Sequence, residues 1–125
     1  ITIWRLSGSK VILMMEAIFE HASIEAPKEC CGLVIGNEEN KKYVPCKNIC
    51  EDEKGFKLDP LTFLRYQLTS KILYVVHSHY EEDCEPSQHD INNCNEIGIP
   101  YLIVSYPDLN SLILKPNEQK NNIIR

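Results

Sequence analysis

No run of apolar residues in this chain approaches the ~20 that a bilayer-spanning helix needs, so a membrane span is excluded. The first residues also lack the charged, apolar and small-residue order of a secretory signal peptide. Positive charge is scarce: 13 Lys and Arg against 18 Asp and Glu give a net charge of −5. They form no basic stripe, which argues against a nucleic-acid partner. There is no internal repeat and no low-complexity segment. A disulfide framework is also missing, although the chain has six cysteines. Cys30 and Cys31 are adjacent and Cys94 falls on a helix face, so the reading is reduced thiols in a cytosolic protein. Cys46 and Cys50 are the pair left open to bridging or metal binding.

What is present fits one domain. A chain of 125 residues with 43% hydrophobic and 25% charged residues has an ordinary globular composition. At this length roughly two-thirds of the unfolded surface is buried on folding, enough for a core without staples. The chain begins at Ile1 rather than Met, as a processed or excised piece of a longer protein would. Residues 1–115 are assigned to the domain and 116–125 to a polar tail or linker.

Hydrophobic periodicity lays out the elements in order. Residues 1–7 alternate weakly as an opening strand. From Lys10 to His21 the pattern is helical, with Val11, Met14, Met15, Ile18, Phe19 and Ala22 on one apolar stripe and Ser9 as N-cap. His21, near the helix end, is expected to meet the last carbonyls. Gly32 to Gly36 reads as a central strand and Lys42 to Lys47 as its antiparallel partner near a sheet edge, because Pro45 cannot donate to a ladder. Asp59 and Pro60 open a second helix whose apolar face is Leu61, Leu64 and Leu68. A strand from Ile72 to Val76 follows, then a helix from Ser87 ended by Gly98 and Pro100. Strands at Tyr101–Ser105 and Ser111–Lys115 form a closing hairpin. The fold class is therefore mixed α/β (α+β), a central mixed sheet flanked by about three helices.

The chemistry concentrates at His77-Ser78-His79. Side chains alternate along a strand, so the two imidazoles share a face and Ser78 points the other way. A carboxylate arriving from a later element would complete a His/His/Asp site for a divalent metal, with zinc's fourth position left for water. Asp90, three residues after Ser87, is placed to do so at a helix start. Ser87-Gln88-His89-Asp90 also reads simply as a capping box. His89 is turned about 100° around the helix from Asp90 and should miss the metal. The acidic stretch Glu81, Glu82, Asp83, Glu85 is a solvated loop or a negative rim attracting a metal or basic substrate. Glu29, just before the strand at Gly32, reads by itself as an exposed loop glutamate.

Glu29-Cys30-Cys31-Gly32, His77-Ser78-His79 and Ser87-x-x-Asp90 together resemble the JAMM (MPN-plus, Mov34-type) metallopeptidase signature, E…H-x-H-x7-S-x-x-D. Further segments are similar to the N-terminal domain of phage tail-tip assembly proteins of the lambda K type. These are Glu25 to Gly32, Phe56 to Pro60, Glu85 to Ser87, Cys94 to Pro100 and Ser105 to Pro107. The similarity runs from Val11 to Lys115. It implies a JAMM/cytidine-deaminase-like architecture in which Zn²⁺ is held by His77, His79 and Asp90. It further implies Glu29 as general base then acid, and Ser87 as donor to the oxyanion. A cap and an oxyanion donor compete for one hydroxyl proton, so Ser87 is expected to cap its helix only in part. Tyr80 departs from the family, which commonly has Pro after the second His, and so puts the loop conformation in question.

The resemblance implies a zinc metallopeptidase or isopeptidase. Its substrate would be a ubiquitin-like tail, a tail protein or a peptidoglycan peptide. An NlpC-type peptidase domain often follows in that family, and tail proteins are implied partners, in the host cytoplasm or the virion tail. Two rivals differ in class. A zinc nucleobase deaminase needs H-x-E and a later P-C-x-x-C, whereas here His79 stands where Glu would be and Pro45-Cys46 lies upstream. A non-catalytic MPN-type scaffold in tail assembly typically lacks some ligands, and this chain carries the full set.

Overall fold

The computed structural model describes residues 9–117. The opening strand expected over residues 1–7, the Ser9 cap and most of the 116–125 tail lie outside the described residues and side chains. The chain runs α1 (Ser9–Glu25), β1 (Cys31–Gly36), β2 (Lys41–Cys46), α2 (Pro60–Thr69), β3 (Ile72–Tyr80), α3 (Gln88–Ile97), β4 (Tyr101–Tyr106) and β5 (Ser111–Leu114). The five strands form one sheet in the order β2-β1-β3-β4-β5. Among the described residues only β3 and β4 run parallel, joined by α3; the other neighbours are antiparallel. A parallel pair needs such a crossover, and the helical pattern between the two strands supplies it. Pro45 sits on the edge strand β2, as its missing N–H demands.

Alternation along the strands divides the core into two layers. Val34, Val76, Leu102 and Val104 face α1, where Val11, Met14, Met15 and Ile18 pack on them. Leu33, Val75, Tyr101 and Ile103 face the other way, toward Cys94 of α3 and the aromatic side of α2. Each fully buried Ile, Leu or Val contributes about 1.5–3 kcal/mol. His77, pairing with Cys31 on one side and Ile103 on the other, is therefore embedded mid-sheet. It continues the Val75 face, and Ser78 the Val76 face.

The helix α1 ends at Glu25, where Glu25-Ala26-Pro27 is expected to break it. Two local expectations change. His21 turns sideways rather than to the helix end, its Nδ1 2.6 Å from the Tyr43 hydroxyl on β2. Most tellingly, the leucines of α2 face out: Leu61 is 73% exposed and Leu68 76%. Phe63 and Tyr66 pack on the sheet instead, beside Phe56 and Leu58. Both sets fit helical spacing, so periodicity could not rank them, and the broader aromatic rings cover the sheet.

Candidate metal centre

Two elements bring the centre together. The strand β3 delivers His77 and His79 on one face, and the first turn of α3 delivers Asp90. Ser87 caps α3: its Oγ accepts from the Asp90 N–H at 3.0 Å, while Asp90 Oδ2 accepts from the Ser87 N–H at 2.9 Å. Gly98, at φ 74°, closes the other end in the left-handed conformation that glycine adopts freely. The capping box fixes the Asp90 carboxylate against the strand. Its Oδ1 lies 3.0 Å from His77 Nε2 and its Oδ2 3.2 Å from His79 Nε2. One ligand atom from each of the three residues lies within 4.8 Å of the others, and all three residues are buried. The capping reading and the metal reading of Asp90 thus describe one arrangement.

Both histidines have Nδ1 engaged from behind. His77 Nδ1 lies 3.0 Å from Glu29 Oε1, and His79 Nδ1 lies 2.7 Å from the Asp83 carbonyl. Since both partners are acceptors, Nδ1 carries the proton, and Nε2 is directed to the shared space. An acceptor behind each imidazole is the usual support for a metal-binding histidine. His77 Nε2 is the decisive atom. It is fully buried, with Asp90 Oδ1 at 3.0 Å too poorly aligned for a hydrogen bond. The carboxylate therefore offsets its burial only as an ion pair when the nitrogen is protonated, and a metal that displaces the proton would use its lone pair. The donor set of two imidazoles and a carboxylate fits a zinc ion.

Without an ion, the centre's electrostatics are those of a tight charge cluster. Burial alone would lower both histidines. For His77 the Asp90 and Glu29 carboxylates outweigh it and raise the pKa. For His79, burial is outweighed by Asp90, the Asp83 carbonyl and Glu29, and its pKa is pushed up to about 9. Burial likewise would raise Asp90, yet the two imidazoles and the Ser87 N–H hold its carboxyl well below the usual range.

Glu29 is 8% exposed rather than the loop residue its sequence context suggested. Its second oxygen accepts from the Gly55 N–H at 2.9 Å. Glu29, His79, Ser87 and Asp90 line one cleft of about 410 Å³, walled by Phe56 and Glu82. The Ser87 hydroxyl uses a lone pair, not its proton, in capping, so the expected conflict between cap and donor does not arise. His89 is exposed and hydrogen-bonded to Asn93 at 3.1 Å; it lines the cleft but is not among the three residues whose ligand atoms converge. The strand β3 runs through Tyr80, which pairs with Tyr106, before the chain turns at Glu81 with φ 56°. The acidic stretch after it supplies Glu82, Asp83 and Glu85 to the cleft wall, so it is both loop and rim.

Three contributors had no signal in the sequence. Phe56 stacks on the His77 ring at 4.4 Å and 18°, Gly55 donates to Glu29, and Asn48 holds the loop carrying both. Only the Phe56 to Pro60 resemblance touched this loop, and it named no role.

The sequence profile described as prokaryotic homologs of the JAB domain matches residues 13–118. The tail tip assembly protein K of Escherichia phage N15 is 32% identical over 103 residues, covering 82% of this chain but 42% of that protein. This chain thus spans less than half of that relative's length. A solution structure from Desulfitobacterium hafniense aligns with 26% identity and a TM-score of 0.64, covering 81% of this chain and 77% of that one. A JAB1/MPN domain protein from Archaeoglobus fulgidus shares the fold, at 21% identity and a TM-score of 0.57 over 82% and 83% of the two chains. With the profile covering most of its length and the fold in agreement, the chain belongs to the prokaryotic homologs of the JAB domain.

Proposed function

We propose that this domain is a zinc-dependent metallopeptidase that hydrolyses a peptide or isopeptide bond, as part of a phage tail-tip assembly protein. The observation that carries the reading is the buried, unbonded Nε2 of His77, facing His79 and Asp90 with both Nδ1 atoms already fixed. Zn²⁺ held by His77, His79 and Asp90 would supply Lewis acidity and a lowered pKa for water. Glu29, on the cleft wall, would take the proton of the attacking water at a carboxylate oxygen and pass it to the leaving amine. Ser87 would donate its free hydroxyl proton to the substrate carbonyl oxygen as negative charge develops there.

The substrate class is a peptide: a ubiquitin-like tail, a tail protein or a peptidoglycan cross-link. The tail-tip name of the phage N15 relative favours tail proteins as partners, in the host cytoplasm or the virion tail. In this reading residues 1–115 form the catalytic domain and 116–125 lead into further chain, such as an NlpC-type peptidase domain. That same name also favours the second reading, a non-catalytic scaffold in tail assembly. A screen of cross-linked muropeptides, tail proteins and ubiquitin-like fusions, with and without chelator, separates the two. Chelator-sensitive cleavage is expected. A zinc-loaded protein that cleaves none of them, yet binds tail proteins, is the scaffold.

A further inference from the structure

We propose that Asn48 is a positioning residue for this centre, locking the loop after β2 so that it holds both Glu29 and Phe56 in place against His77. The consequence for turnover rests on the hydrolytic reading above; the geometry does not. Asn48 uses its whole side-chain amide. Its Nδ2 donates to the Glu29 carbonyl at 2.9 Å and to the Gly55 carbonyl at 3.1 Å. Its Oδ1 accepts from the Cys50 and Lys57 N–H groups, both at 3.0 Å. Two donors and two lone pairs are all that an asparagine amide has.

These four bonds converge on one purpose. The loop from Lys47 to Asp59 has little regular structure beyond a single bridge between Asn48 and Leu58, which includes the bond from Ile49 N–H to the Lys57 carbonyl at 2.9 Å. Asn48 closes this loop. It grips Glu29 by its backbone carbonyl, while Gly55, held by the same amide, grips the Glu29 carboxylate with its N–H. Gly55 has φ 101°, a conformation open to glycine but strained for other residues, and it places Phe56 face to face with His77. So Glu29 is pinned at both ends, and His77 between Glu29 and a ring. No other residue type of this size supplies two donors and an acceptor oxygen. Aspartate lacks the donors and serine has one.

The test compares Asn48→Ala and Asn48→Asp with Asn37→Ala. Asn37 makes the same kind of turn bonds, at 2.9 and 2.8 Å, in the β1–β2 hairpin. In the metal-free protein, nuclear magnetic resonance reads the Gly55 amide and the His77 Nδ1 proton. Zinc affinity and, where cleavage exists, kcat and KM are read in the loaded protein. Both Asn48 variants should perturb the Gly55 and His77 signals, weaken zinc about 10–100-fold as supporting-shell changes do, and lower kcat more than KM. Asn37→Ala should lower stability alone. If the Asn48 variants also lower only stability, leaving the Gly55 and His77 signals and zinc affinity at wild-type values, the proposal is overturned. Should neither Asn48 variant fold, hydrogen exchange in the wild type decides: slow exchange of the Asn48 amide protons and Gly55 N–H supports it, fast exchange overturns it. A wild type that takes up no zinc would sink the hydrolytic reading, while the metal-free signals would still settle Asn48.

Discussion

Glu29 Oε1 lies 3.0 Å from His77 Nδ1, across 48 residues of sequence. In the hydrolytic reading Glu29 therefore has two separable duties, supporting the His77 imidazole and handling a proton. The Glu29→Gln amide has one oxygen, which can accept from His77 or from Gly55 but not both. One buried donor is left unmet, at a cost of about 1–3 kcal/mol. Zinc should still bind stoichiometrically, while hydrolysis falls by roughly 10²–10⁴-fold. Glu29→Ala should in addition weaken zinc by about 10–100-fold. Zinc competition titrations beside a cleavage assay read both; undiminished cleavage by Glu29→Gln removes Glu29 from the chemistry.

His77→Ala removes the central nitrogen of the cluster. Metal analysis should find stoichiometric zinc in the wild type and none in the variant. Chelating the wild type should lower its Tm without loss of secondary structure, because the core is a two-sided sheet that does not include the ion. At a zinc concentration ~1,000 times Kd, the stabilisation lost is about 4 kcal/mol. Equal zinc in wild type and variant would refute the ligand set.

The pH dependence has opposite signs with and without zinc. In the metal-free protein His77 and His79 have raised pKa values. Their contribution to stability is complete below the ordinary value of 6.5, and that of His79 is lost as pH rises through about 9. Asp90 is depressed, so its contribution is present above its ordinary 3.8 and lost only as pH falls through its lower folded value. Zinc must displace the histidine protons, so its affinity climbs over the same alkaline range. Thermal unfolding from about pH 6 to 9 should show metal-free Tm falling and the zinc-induced increment growing. An increment that shrinks toward pH 9 would contradict this.

The cap that Ser87 forms can be separated from the donor role proposed for it. Ser87→Ala should cost about 0.5–2 kcal/mol of stability and Ser87→Gly only a few tenths. Both remove the hydroxyl proton and should lower kcat equally, by roughly 10²–10³-fold. Urea unfolding with kinetics on both variants checks it. If Ser87→Gly keeps wild-type turnover, Ser87 is a cap only.

The leucines of α2 give a prediction against the sequence pattern. Leu61→Glu and Leu68→Glu should change unfolding free energy by no more than ~0.5 kcal/mol, since both side chains are mostly in water. Phe63→Ala, which removes a packed ring, should cost several times as much. Urea denaturation ranks the three, and a reversed order would mean that α2 is turned the other way.

The sequence by itself determined the features that depend on near neighbours. Alternation along β3 put His77 and His79 on one face, and the S-x-x-D spacing placed Asp90 at the start of α3. The edge position of β2 followed from Pro45, and the end of α3 from Gly98. These are consequences of backbone geometry within a few residues, so composition and spacing suffice to read them. What only the tertiary structure decided rests on contacts between distant segments. Glu29 reaches His77 because β1 and β3 pair, and Asn48 reaches Glu29 because β2 returns beside β1. The face that α2 buries was settled by which rings fit the sheet, since two stripes satisfied the same period. The orphaned nitrogen of His77 belongs to this second class: it arises where strand, helix and loop meet, and no local pattern encodes it.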